Sequence, residues 1–292
     1  MIWRDCHQLK ALYLLSMTSH LSISDIKNAV LVVAHPDDEV LWFSSLLRKC
    51  KKIIVCYGET PNNKKITNGR KLSIEQYPLD NIEFLFLPES NAYSKGKWNS
   101  GSKAESPHGI NLKNKDLIYE KNFTILSNLL EKRLSSELTV ITHNPWGEYG
   151  HEEHIQIYQI IKNIQKKHKF CLVFNSYFSE LSESLMMMYS GRLITKTEPI
   201  TTDSEIVTTL SALYKKNYCW TWPNDYIVPK KESFYSLEDY NNNTNGYPKL
   251  TSSIPLNYIP FIKKRTFMFN IKKILIYFKI FFKKRFNKLL CM

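Results

Sequence analysis

The chain has 292 residues, 43% of them hydrophobic and 23% charged, which supplies a core for one or two domains and excludes a disordered or low-complexity chain. Its net charge of +13 points first to a nucleic-acid partner, but the last acidic residue is Asp239 and eleven bases follow it. That leaves 29 bases against 27 acids upstream, so the body is nearly neutral and the tail strongly basic.

The six cysteines are scattered without a C-x-x-C pair, which fits a reduced, cytoplasmic setting rather than a disulfide framework. No run of about 18 uncharged apolar residues occurs, so no spanning helix is expected. Residues 1–27 read as an N-terminal leader of unassigned status, with Met17 as an alternative start.

In chain order, Ala29–Ala34 (AVLVVA) is a short Val-rich run, the pattern of a strand buried on both faces. Glu39–Cys50 then predicts a helix, Lys52–Tyr57 a second strand, residues 58–69 a polar loop, Arg70–Gln76 a helix, and Ile82–Leu87 a third strand. The Asn-, Ser-, Gly- and Lys-rich stretch 90–114 reads as a long loop. Leu117–Leu134 predicts a helix, Leu138–Thr142 a strand, His151–Lys167 a helix and Phe170–Phe174 a strand. Alternating strands and helices predict an α/β, Rossmann-like fold, with a mostly parallel sheet flanked by helices and the site at the carboxyl ends of the strands. A domain is expected over 28–240, a linker over 241–260 and a separate tail over 261–292.

Two polar clusters directly follow predicted strands. The first is His35-Pro36-Asp37-Asp38-Glu39; the second contains His143 and then Glu148-Tyr149-Gly150-His151-Glu152-Glu153-His154. Crowded acids and histidines at a buried strand end need a balancing charge, and a divalent cation supplies it. Two histidines and one carboxylate form a catalytic zinc set with a position open for water, and His35, Asp38 and His154 fit it. Asp37, adjacent to the ligands, is the candidate base, and His151, one helical turn from His154, the candidate stabiliser of a tetrahedral species. His143 is either substrate-facing or a satisfied structural histidine. Trp220 and Trp222 either stack on a sugar or pack in the core.

AHPDDE at 34–39 together with GEYGHEEH at 147–154 resembles the LmbE/PIG-L family of zinc-dependent N-acetylglucosaminyl deacetylases, over roughly residues 28–240. The resemblance implies His35, Asp38 and His154 as ligands of Zn²⁺, with Fe²⁺ as the alternative metal, and Asp37 as general base. It implies His151 and Tyr149 as groups at the oxyanion, and Arg70 as a substrate-binding residue. The implied reaction is hydrolysis of the N-acetyl group of an amino sugar in a glycolipid or glycan precursor. A deacylase of another sugar conjugate and a non-catalytic sugar-binding protein stay open. Where many members have a glycine-rich run after HPDDE-V-L, this chain has Trp42-Phe43-Ser44-Ser45, which predicts altered packing or pocket shape. Lys230–Phe234 resembles the family's late E-x-F segment, for which a structural role is expected.

Residues 261–292 alternate Phe, Ile and Leu with Lys/Arg pairs as a basic amphipathic helix would, the chemistry of an interfacial helix on an anionic membrane. No groove-reading motif accompanies it, which disfavours nucleic acid. The expected location is therefore cytoplasmic and peripheral to the membrane, and the Lys-, Asn- and Ile-rich composition suggests a bacterial source.

Overall fold

The structure is a computed structural model and describes residues 20–90, 92, 105–112, 116–238 and 255–260. The leader before residue 20, with Met17, and the basic tail 261–292 lie outside the described residues.

The chain enters through helix α1 (Ile23–Lys27), closed by a reciprocal capping box between Ser22 and Asp25. Leu21 is already tied to the body, its N–H donating to the Lys196 carbonyl at 2.7 Å. Part of the segment expected as a leader therefore belongs to the fold.

Strand β1 (Val30–Val33) is buried along its whole length, as its unbroken apolar run requires. It lies between β2 (Lys52–Glu59) and β6 (Thr139–Thr142), parallel to both, with Val32 opposite Ile54 on one side and Thr142 on the other. β3 (Ile82–Pro88) extends the sheet beyond β2, and β7 (Cys171–Asn175) extends it beyond β6, all parallel. β12 (Phe234–Leu237) pairs antiparallel with β7, and β9 (Leu193–Thr195) closes that edge, giving the order β3-β2-β1-β6-β7-β12-β9. This is an α/β fold with seven mostly parallel strands flanked by helices. The strand order reverses between β1 and β6, so the loops leaving their carboxyl ends diverge and leave a crevice. His35 follows β1 and His143 follows β6, and these two loops carry the site.

The helices match their sequence signals where the signals are local. The helix Leu117–Leu134 (α4) starts on Asp116, whose side chain accepts from the N–H groups of Ile118 and Tyr119. It buries Tyr119, Leu126, Leu130 and Leu134 along one face. The helix Glu152–His168 (α5) packs Ile155, Tyr158, Ile160, Ile161 and Ile164 into the same core.

Four segments differ from expectation. The helix after β1, α2, covers only Asp38–Phe43, because the Ser45 N–H donates to Glu232 Oε2 at 2.9 Å and the Ser44 hydroxyl donates to Oε1 at 3.1 Å. A carboxylate from 187 residues downstream thus ends the helix, and the E-x-F segment supplies it. Helix α3 (Lys64–Glu75) begins earlier than expected because Asn63 caps it through the Ile66 N–H; its polar residues up to Gly69 read as loop. Within the long expected loop 90–114, Glu105–Ser106 (β4) and Gly109–Ile110 (β5) form a short antiparallel pair. Finally, Asn257–Tyr258, inside the expected linker, pairs parallel with Tyr177–Phe178 (β8), and the Ile259 N–H donates to the Phe178 carbonyl at 2.7 Å. An exposed strand edge offers unpaired backbone groups, and these residues satisfy it.

Candidate metal centre

The tight turn from β1 into α2 folds back on itself. The His35 N–H donates to Asp38 Oδ2 at 2.7 Å, and the Trp42 indole donates to Asp38 Oδ1 at 3.1 Å. Both oxygens of a fully enclosed carboxylate are thereby fixed. Trp42 is completely buried and sets its ring edge-on to Tyr177 and Trp222, each at 5.1 Å. This bulky residue therefore buttresses a site carboxylate.

His154, from the first turn of α5, reaches the same point. His35 Nδ1, Asp38 Oδ2 and His154 Nε2 lie 3.1, 3.2 and 3.3 Å from one another. Three ligands at about 2.0–2.1 Å in a tetrahedral zinc site would be separated by about 3.3 Å. The far nitrogens are backed by carboxylates: His35 Nε2 meets Glu153 Oε2 at 2.8 Å and His154 Nδ1 meets Glu148 Oε2 at 2.6 Å. Carboxylate-backed histidines aimed at one point are the arrangement of a metal site. The donor set therefore fits a divalent cation, and the wider groupings His35–His151–His154 and Asp38–His143–His154 converge on His154 as well.

The carboxylates and histidines of the cluster shift one another. Burial lowers the His154 affinity for a proton, but Asp38 and Glu148 outweigh it and bring its pKa to about 9. Glu148 is pushed down to about 2: burial opposes ionisation, but His143 and then His154 dominate.

Asp37 caps α2 in the left-handed region, at φ 101°, a conformation that costs about 1–3 kcal/mol outside glycine. It is held there by Glu39, whose Oε2 accepts the Asp37 N–H at 3.0 Å and whose Oε1 accepts the hydroxyls of Tyr214 (2.6 Å) and Tyr77 (3.1 Å). Asp37 Oδ2 accepts the N–H and hydroxyl of Thr221 at 2.9 and 2.7 Å, leaving Oδ1 as the oxygen available for a proton. Burial, then the charge of Asp38, raises its pKa to about 6.

His151 caps α5: its Nδ1 accepts the Glu153 N–H at 3.2 Å, which places the proton on Nε2. Its ring lies 4.8 Å from that of His35 and 4.5 Å from that of His154, centroid to centroid. Burial first and the neighbouring His154 second hold it well below the usual imidazole range, hence neutral. Tyr149 stands 5.6 Å from the His154 ring and 5.0 Å from that of Trp222. Both residues are half-buried.

The two residues expected near substrate, His143 and Arg70, are both buried. His143 is fully buried; its Nε2 accepts the Ala34 N–H at 2.8 Å and its Nδ1 donates to Glu148 at 3.1 Å, so neither nitrogen is left for substrate. Its ring stacks on His154 at 3.9 Å and supports that ligand from behind. Arg70 is 2% exposed, paired with Glu89 and donating to Thr60 Oγ1 and the Gly58 carbonyl. Its charge opposes the rise in the Asp37 pKa. Trp222 packs against Trp42 and Tyr149, with ring centroids 5.1 and 5.0 Å away.

Glu148, Glu153, Glu39 and Thr221 had no assigned part in the sequence reading. Glu148 and Glu153 stood in plain view, because acids interleaved with histidines are the signal of backed ligands. Thr221 carries no such signal.

No family model matches the chain. A curated relative, uncharacterized protein L374 of Acanthamoeba polyphaga mimivirus, is 27% identical over 161 residues, 50% of this chain and 62% of that protein. The match thus spans less than two thirds of that relative's length. Among solved structures, the chain is similar to the A40926 pseudoaglycone deacetylase Dbv21, with 13% identity over 73% of this chain and 98% of that one, and a TM-score of 0.45. It is also similar to the zinc-inhibited form of the teicoplanin deacetylase Orf2, with 10% identity over 73% and 99% of the two chains and a TM-score of 0.44.

Proposed function

We propose that the chain is a metal-dependent N-deacetylase of the LmbE/PIG-L type, with a domain over about 28–240, that removes acetyl from an N-acetylglucosamine-type sugar of a glycolipid or glycan precursor. The observation that carries this reading is the triangle of His35, Asp38 and His154 with a buried carboxylate, Asp37, beside it. A binding protein has no use for a base in that place.

His35, Asp38 and His154 would hold the cation. When bound, Zn²⁺ supplies a polarised carbonyl and a water with pKa near neutrality. Asp37 Oδ1 takes a proton from the attacking water as its oxygen bonds to the acetyl carbon. The neutral His151 donates its Nε2–H toward the carbonyl oxygen as negative charge develops there, and the Tyr149 hydroxyl is the second donor. Asp37 then returns the proton to the amide nitrogen, the C–N bond breaks, and acetate and a free amino sugar leave. The test is acetate release from N-acetylglucosamine glycosides and lipids, followed by proton NMR; no release from any of them contradicts the reading.

The basic tail 261–292 supports a peripheral location on an anionic membrane, where each surface Lys or Arg contributes about 1 kcal/mol. Deleting 261–292 should move the protein from the membrane to the soluble fraction. Unchanged partition would remove this part of the reading.

A further inference from the structure

Asp37 is gripped at two points by one stretch of chain, the end of the helix Ser204–Lys216 and the residues that follow it. On the backbone side, the Tyr214 hydroxyl donates to Glu39 Oε1 at 2.6 Å, and Glu39 Oε2 accepts the Asp37 N–H at 3.0 Å. On the carboxylate side, the N–H and hydroxyl of Thr221 donate to Asp37 Oδ2 at 2.9 and 2.7 Å. The two grips are joined to each other, because the Tyr214 carbonyl accepts the N–H groups of Cys219 and Trp220 at 3.0 and 3.2 Å. A closed ring of contacts thus runs from the Asp37 backbone round to its own carboxylate.

Thr221 is exposed, whereas Asp37 is 1% exposed, so the Thr221 hydroxyl is placed by its bond to the carboxylate rather than by burial. Its chain neighbours hold it steady. Trp220 is tied to the Tyr214 carbonyl, and the Trp222 ring meets Trp42 edge-on at 5.1 Å. Trp42 in turn donates to the metal-site carboxylate of Asp38.

The need for such a grip lies in the aspartate itself. The torsion that turns a carboxylate about its Cβ–Cγ bond is broad and roughly two-fold. An Asp37 without donors on one oxygen would be free to turn either oxygen, or neither, toward the ligand triangle. Two donors on Oδ2 remove that freedom and reserve Oδ1 for the proton. The gain is large, because a misplacement of about 1 Å at a reacting group costs about 10²-fold in rate.

We infer that Thr221 is a positioning residue for the reaction: its hydroxyl acts through Asp37 and fixes which carboxylate oxygen faces the attacking water. The inference rests on the deacetylase reading for Asp37 as the base.

The test is a double-mutant cycle between Thr221→Val and Asp37→Asn in the zinc-loaded full chain, followed by acetate release. Valine keeps the branched shape and the backbone N–H and removes the hydroxyl. Thr221→Val should lower kcat about 10–100-fold, the worth of one hydrogen bond to a charged group, with KM and zinc content unchanged. Thr221→Ser should recover most of that loss. In the Asp37→Asn background, Thr221→Val should change the residual rate by less than about twofold, because no base is left to place. A near wild-type kcat in Thr221→Val, a loss seen in KM or zinc content instead, or no recovery with serine would overturn the inference. So would a loss of the same size in both backgrounds, which is what a merely structural role gives. No acetate release from the wild type would remove the deacetylase reading, and amide exchange then judges the grip alone. The Thr221 N–H should exchange about tenfold faster in Asp37→Gly, which suits the left-handed backbone; unchanged exchange would overturn the grip as well.

Discussion

Replacing Asp37 with Asn should lower acetate release by about 10²–10⁴-fold while metal binding stays as it is. The substitution is unusually clean at this position. Asp37 is in the left-handed region at φ 101°, which Asn tolerates better than other non-glycine residues. The Asn carbonyl can accept the N–H and hydroxyl of Thr221 as Oδ2 does now. What is lost is the lone pair at Oδ1 that receives the proton. The wild-type profile should carry the same signature. Burial and then Asp38 push Asp37 up to about 6, and a bound cation pulls it down again, so kcat/KM should fall with decreasing pH only at or below about 6. Below that point the base is protonated and the rate declines about tenfold per pH unit. Acetate release measured from pH 4 to 8, with metal content measured alongside, checks both statements. Full activity in Asp37→Asn would show that another group is the base.

The second large effect is expected from a residue that touches neither metal nor substrate. Glu148 Oε2 joins His154 and His143, and Oε1 accepts the Asn144 N–H and the Asn175 amide. Glu148→Gln keeps the volume but removes the charge, and its own amide hydrogens then face donors. Metal affinity should fall about 10–100-fold, the usual cost of losing the group behind a histidine ligand. The pH dependence should change with it. In the wild type His154 keeps its proton up to about 9, so a cation must displace it, and affinity should climb about tenfold per pH unit for each proton released between pH 6 and 9. In Glu148→Gln one of the two counter-charges is gone, His154 loses its proton at lower pH, and the climb should flatten within that range. Competition with a chromophoric chelator at several pH values reads this out. The same slope and affinity in both proteins would show that Glu148 is only packing.

The parts of the site readable from the chain are those fixed by local geometry. His35 and Asp38 share one tight turn, and His151 and His154 share one helix face, so their spacing carries their meaning. The buried strands around them are equally plain, because a parallel sheet covered on both faces leaves continuous apolar runs in β1, β6 and β7. Contacts made by distant segments are not readable in this way. Glu232 ends α2 across 187 residues and Thr221 holds Asp37 across 184, and neither pairing leaves a mark on spacing or composition. The pairing of Arg70 with Glu89, 19 residues on and just after β3, is equally silent in the spacing. Trp42, a bulky residue directly after the metal-site turn, has a use that its identity alone does not reveal: its indole nitrogen gives Asp38 a donor.

The central claim is that His35, Asp38 and His154 hold one cation on which hydrolysis depends. It is tested most directly by stripping the protein with a chelator and titrating Zn²⁺ back while following acetate release from an N-acetylglucosamine glycoside. Activity should vanish on stripping and return linearly to a break at one equivalent, and His154→Ala should show no such return. Activity indifferent to the chelator, or restored without a stoichiometric break, would contradict it.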